Sequence, residues 1–200
     1  FLKFMNDGLE KYKDDDRVSS ISGFIPNVEE KLPETFFLRF FHCWGWATWD
    51  RAWHLLNNDV KYLLRKLRFK SNDFSLDGSM GSYGILYCQK VGLVDSWYIR
   101  LYASFYLNGK LTLYPGKPMV ENAGLDGTGT HCGKQEYSTN LVHPDILPIE
   151  CKDIAILEDK KARDCIARAF KRNIPHVNYI KSQYYSLKSF LRRLLYIDCL

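Results

Sequence analysis

An α/β fold is the architecture this sequence predicts, and three observations carry it. Apolar residues recur at helical spacing through Phe1–Tyr12 and lead into the alternating, strand-like Val18–Ser22, which stops at Gly23; helix-then-strand is the repeating unit of parallel α/β sheets. A second such pair follows later. Trp97–Leu107 is apolar on most faces and so reads as a buried helix, Asn108-Gly109 ends it, and Leu111–Tyr114 is a short strand. Composition permits a packed core: over 200 residues, 46% are apolar and 26% charged, which excludes wholesale disorder.

The elements between these pairs follow in order. Asn27–Glu34 is a polar, Pro-containing loop, and Thr35–Phe41 reads as a strand. Thr48–Leu56 predicts a helix, because Trp49, Trp53 and Leu56 fall on one face; that spacing assigns Trp49 and Trp53 to the core. Val60–Phe69 is a basic amphipathic helix, and Ser71–Gly84, rich in Gly, Ser and Asp, reads as loop. After Pro115 and Pro118, Met119–Asn122 is a further strand candidate, and Gly124–Gly133 is a glycine-rich loop. Pro144–Pro148 marks a boundary before two basic helices, Ile154–Phe170 and Val177–Leu195. The division expected is therefore 1–143 for the α/β part and 144–200 for a helical extension.

Charge and cysteine usage narrow the class. A net charge of +5 is too modest to argue for nucleic acid. The six cysteines are scattered with no CxxC pair, as in reduced thiols of a cytosolic protein. No apolar run approaches the roughly 20 residues that cross a bilayer. The basic C-terminal helices, with Lys171-Arg172 and Arg192-Arg193, could still contact an anionic membrane face, although solvated basic faces are commoner. The chain opens at Phe1 in mid-pattern, which reads as a piece of something longer.

Phosphate-loop, dinucleotide, zinc-protease and nucleophile-elbow signatures are lacking. Asp14-Asp15-Asp16 follows Lys11-Tyr12-Lys13 and not an apolar strand, so a solvated turn is expected there in place of a cation site. Asp77-Gly78 is a weak pointer to an acceptor loop. The most specific feature is the Trp44–Trp53 cluster, in which Trp44 and Trp46 flank Gly45. Glycine lets backbone approach a ligand closely, and an indole offers a flat apolar face suited to the C–H surface of a pyranose. Core packing explains such indoles equally well, and for Trp46 both readings stand.

Four blocks in this order and spacing resemble bacterial glycosyltransferases of the GT-A fold, family 2-type enzymes distantly similar to N-acetylglucosaminyltransferase I. They are Phe41-His42-Cys43-Trp44-Gly45-Trp46-Ala47-Thr48-Trp49, Asp95-Ser96-Trp97-Tyr98-Ile99-Arg100, Leu111-Thr112-Leu113-Tyr114-Pro115, and Asn122-x-Gly124-x-Asp126-Gly127-x-Gly129-Thr130-His131. The resemblance covers about residues 1–133. It implies the acceptor-side portion of an inverting, metal-dependent transferase that moves sugar from a nucleotide-sugar to a hydroxyl acceptor, carbohydrate or lipid-linked, in surface polysaccharide or lipopolysaccharide synthesis. It also implies a preceding half that holds the nucleotide, so that this chain alone would be inactive. Within Asp95-Ser96 it places the general base, for which Asp95 is the candidate; helix N-capping by Asp95 or Ser96 is the competing role. Trp44, Gly45, Trp46, Ser96 and Asp126 become candidate substrate contacts. His131 becomes a candidate ligand of a divalent cation, Mn²⁺ or Mg²⁺, against the plain alternative of a surface histidine. The rival class is a carbohydrate-binding or scaffold domain that keeps the aromatic cluster without chemistry.

Overall fold

The computed structural model describes residues 1–123 and 149–173. Helices cover both faces of a four-stranded sheet, so the α/β class expected from the sequence is what the chain adopts. In chain order the sheet-forming elements are β1 (Val18–Ser22), β2 (Thr35–Leu38), β3 (Trp46–Thr48) and β4 (Leu111–Pro115). Their spatial order is β2-β4-β1-β3. Only β1 and β4 run parallel; β2 pairs with β4, and β3 with β1, in antiparallel sense. The sheet is thus mixed, with the two helix-then-strand pairs supplying its parallel centre.

Side-chain alternation along each strand sorts residues into two cores. On one face Ile21, Phe37, Leu111 and Leu113 pack under α1 (Leu2–Lys11), whose Phe4 and Met5 are buried with them. Gly8 lets this helix come close, because a Cβ there would lie 2.6 Å from Ile21 Cδ1. On the other face Phe36, Leu38 and Tyr114 join the larger core. That core is filled by α3 (Val60–Leu67), α5 (Ser82–Lys90), α6 (Trp97–Leu107) and α7 (Lys160–Asn173).

Several local expectations are corrected. Thr48–Leu56 is not one helix: Trp46–Thr48 is an edge strand, and α2 spans Asp50–Trp53 alone. Ser71–Gly84 is not all loop, since α4 (Ser71–Phe74) lies within it and α5 begins at Ser82. Met119–Asn122 forms no strand; Met119 N–H bonds Gly23 O (2.8 Å) as a single contact at the end of β1. The helix expected from Ile154 starts at Lys160, with Asp159 Oδ1 accepting from Ala162 N–H (2.9 Å). Upstream of it, Ile154 and Ile156 alternate onto the α1-side core, and Asp159 N–H bonds Phe37 O (2.9 Å). Val177–Leu195 lies outside the described residues. No helix among the described residues is long and apolar enough to cross a membrane.

Candidate functional site

After β2 the chain dives through Phe40, Phe41 and His42, all buried, and re-emerges at Trp44. Gly45 then reverses it. Its φ of +53° is left-handed, and a Cβ there would stand 2.5 Å from Val120 Cγ1; glycine is required on both counts. Gly45 O accepts from Gly23 N–H (2.7 Å), which starts β3 in register opposite β1, Trp46 against Ser22.

Alternation in β3 sends Ala47 to the α1 side and Trp46 to the other. There Trp46 rests edge-on against Phe41 (5.0 Å, 71°) and stacks with Trp97 (5.7 Å, 24°) and Trp53 (6.4 Å, 29°). Trp53 and Trp97 also meet, at 5.8 Å. Trp46 is half-buried, whereas Trp53 and Trp97 are 41% and 40% exposed. Three indoles from β3, the end of α2 and the start of α6 therefore form one surface group. The assignment of Trp53 to the core is overturned. Its four-residue helix ends at the surface and holds the indole against Trp97. Trp49 is half-buried on the α1 side, its Nε1–H donating to Leu9 O (3.2 Å) with Arg51 over the ring. Trp44 lies apart from the three, its ring against Phe24 and His42.

Asp95 lies two residues before α6 and so two residues from Trp97 in sequence. Its side chain is 85% exposed, and Oδ1 is engaged by Arg100 (3.3 Å) and by Gln89 Nε2–H (3.2 Å). Ser96, not Asp95, caps α6, accepting from Ile99 N–H (3.4 Å). Gln89 works twice, because its Oε1 also accepts the Ser96 N–H (2.6 Å). Arg100 is largely covered, with an Nε–H that is buried and without a hydrogen-bond partner.

The remaining candidates are dispersed. Asp77, in left-handed backbone at φ +54°, pairs with Arg163 of α7, and Arg163 also holds Asp73 (2.8 Å). That cluster anchors α7 and stands away from the indoles in sequence and partners. Asp15 is taken by Arg17, whose hydrogen bonds hold its carboxyl below the usual carboxylate range. Asp126 and His131 lie outside the described residues. Among the described residues no three His, Cys, Asp or Glu side chains gather so as to hold a metal ion. A cation bound by this protein would need ligands beyond them.

Trp53, Trp97, Gln89 and Arg100 are not among the site residues that the sequence proposes. Trp97 carried a usable signal: the first position of a buried helix has no preceding turn to cover it. Gln89 carried none, since its partners are set by how α5 meets α6.

No protein-family model matches the chain, and no curated protein or solved structure matches it either.

Proposed function

We propose that this chain is the acceptor-side portion of a GT-A-type glycosyltransferase. It would pass a sugar from a nucleotide-sugar to a hydroxyl of a carbohydrate or lipid-linked acceptor in surface polysaccharide or lipopolysaccharide synthesis. One observation carries the reading: Trp46, Trp53 and Trp97 form an exposed aromatic surface with Asp95 two residues from one of its rings. Flat indole faces suit a pyranose. Asp95 Oδ1 is engaged by Gln89 and Arg100, so Oδ2 would accept the proton that the acceptor hydroxyl loses as it attacks the anomeric carbon. The described residues do not supply a cluster of three or more His, Cys, Asp or Glu side chains for a divalent cation.

A second reading, saccharide binding without chemistry, has an observation of its own. Asp95 is solvated and paired with a cation, whereas general bases at neutral pH are commonly tuned by burial.

Titration of the chain with pyranosides and oligosaccharides, followed by tryptophan fluorescence, tests the shared part. Binding should quench or shift the emission and should be lost in Trp97→Ala and Trp53→Ala. No response to any saccharide at millimolar concentration, or equal binding by both variants, would remove the proposal. Asp95→Asn separates the two readings in the parent protein. A base predicts unchanged binding with turnover lowered about 10²–10⁴-fold, whereas the binding-module reading predicts no turnover to lose.

A further inference from the structure

The sequence from Val60 to Asn72 contains five cations and no acid. Within it α3 buries Leu63, Leu64 and Leu67, and the opposite face follows from the helical period. Tyr62, Arg65, Lys66 and Phe69 stand at i, i+3, i+4 and i+7. The turn continues helically past Leu67, since Lys70 N–H bonds Leu67 O (2.9 Å). Arg65 and Lys66 both lean on the Tyr62 ring (5.8 and 5.6 Å), and Arg68 covers one side of Phe69 (4.6 Å). Phe69 is nonetheless 84% exposed, the most exposed aromatic ring among the described residues.

Lys61, Arg65, Lys66 and Lys70 are exposed, and among the described residues no carboxylate pairs with them. The nearest acids in sequence are committed elsewhere. Asp59 caps α3 through Tyr62 N–H, and Asp73 is held by Arg163 and Tyr106. Some surface cations elsewhere are paired, as Arg17 with Asp15, Lys152 with Glu34 and Arg168 with Glu30. What sets α3 apart is that four such exposed cations gather on one helix beside an exposed aromatic ring.

We propose that this face of α3 docks on an anionic lipid surface, with Lys61, Arg65, Lys66 and Lys70 meeting headgroup phosphates and Phe69 entering the headgroup–acyl boundary. A basic helix face that carries an exposed aromatic ring gains twice at such a surface, by charge and by removing the ring from water. Anionic polymers such as nucleic acid answer the charge. They do not answer the aliphatic exposure on the helix packed against α3, where Ile85 of α5 and then Val91, Leu93 and Val94 are 38–65% exposed. The proposal is independent of the glycosyl-transfer reading, and of any contact made by the C-terminal segment.

The test is co-sedimentation of the full 200-residue chain with vesicles of phosphatidylcholine containing about one-third phosphatidylglycerol, compared with phosphatidylcholine alone. Binding should be confined to the anionic vesicles and should weaken as salt is raised. Neutralising Arg65, Lys66 and Lys70 together as glutamines should reduce partitioning about 100-fold, at roughly five-fold per charge. Phe69→Ala should reduce it about ten-fold while leaving the salt dependence in place. Because all four side chains are exposed, far-ultraviolet circular dichroism and thermal melts of the variants should match the unaltered chain. Equal binding to both vesicle types would overturn the proposal, as would variants that bind like the unaltered chain, which would move the contact elsewhere. Tighter binding to a DNA duplex than to anionic vesicles, insensitive to Phe69→Ala, would overturn it in favour of nucleic acid.

Discussion

Lowering the pH from about 7.5 to about 5 should remove roughly 2 kcal/mol of stability through a single buried side chain, His42. The ring is enclosed by Phe24 (4.5 Å), Trp44 (4.7 Å), Tyr98 (5.9 Å), Phe40 (6.0 Å) and Phe170 (6.3 Å). Its Nδ1 accepts from Trp44 N–H (3.3 Å), which fixes the neutral tautomer with the proton on Nε2. Burial lowers its pKa to about 3, and no carboxylate among the described residues touches the ring to oppose that. The unfolded chain holds this histidine near its ordinary value of roughly 6.5, so between the two values the unfolded state binds the extra proton. The contribution is therefore complete above about 6.5 and is lost as pH falls, at about 1.4 kcal/mol per unit. Carboxylates titrate mainly below pH 5 and leave this window to His42. Urea unfolding of the native chain and of His42→Phe, at three pH values from about 7.5 to 5, isolates the effect. Phenylalanine fits the aromatic surroundings and loses the acceptor for Trp44 N–H, so the variant should be about 1 kcal/mol less stable at neutral pH. It should then show no loss from this source on acidification, so the two curves should cross at about pH 5.8 and the variant should be about 1 kcal/mol the more stable at about pH 5. Parallel pH dependences would refute the reasoning, because they would mean that His42 takes up its proton within the folded protein.

Three further substitutions probe the site's supports. Gly45→Ala meets both a left-handed φ and Val120 Cγ1 at 2.5 Å, so it should cost about 2–5 kcal/mol in urea unfolding; an unchanged midpoint would show that β3 can shift at no cost. Ser96→Ala removes the cap of α6 and should cost about 1 kcal/mol, or about 2–4 °C in Tm. Asp95→Asn should melt within about 0.5 kcal/mol of the native chain, and a loss equal to that of Ser96→Ala would move the cap to Asp95.

Local pattern and local structure agree where one residue class recurs at one period. Phe4 and Met5, Val18 through Ser22, Leu63 through Leu67 and Leu111 through Tyr114 all lie in elements the sequence predicts. Agreement fails where tertiary contacts outweigh pattern. The helix Ser82–Lys90 carries Gly84 in its interior and has little amphipathic bias, yet it forms because α3 and α6 receive its buried side. Trp49 and Trp53 share a helical spacing, but the backbone at Trp49 is extended (φ −108°, ψ 155°), and the strand before it sends the two indoles to different surroundings. The indole group itself joins positions 46, 53 and 97. No spacing rule reaches across fifty residues, so it could not have been read before the fold.

The helix α5 links the two surfaces that carry the functional arguments. Toward one end, Tyr83 O–H donates to Leu64 O (3.3 Å), tying it to α3 behind the basic face. At the other end, Gln89 holds both Asp95 Oδ1 and the Ser96 N–H, fixing the approach to α6 and hence the ring of Trp97. An unprotected helix end at Ser96 would let the first turn fray, and the indole group would lose the member it gains from α6. The order of Trp97 therefore depends on a side chain from an element that contributes no surface of its own to the site. A ligand pressing on α3 has a packed route to that side chain through Leu64, Tyr83 and the body of α5. With nine residues and a glycine in its second half-turn, α5 has one weak point, Gly84, lying between its two anchors.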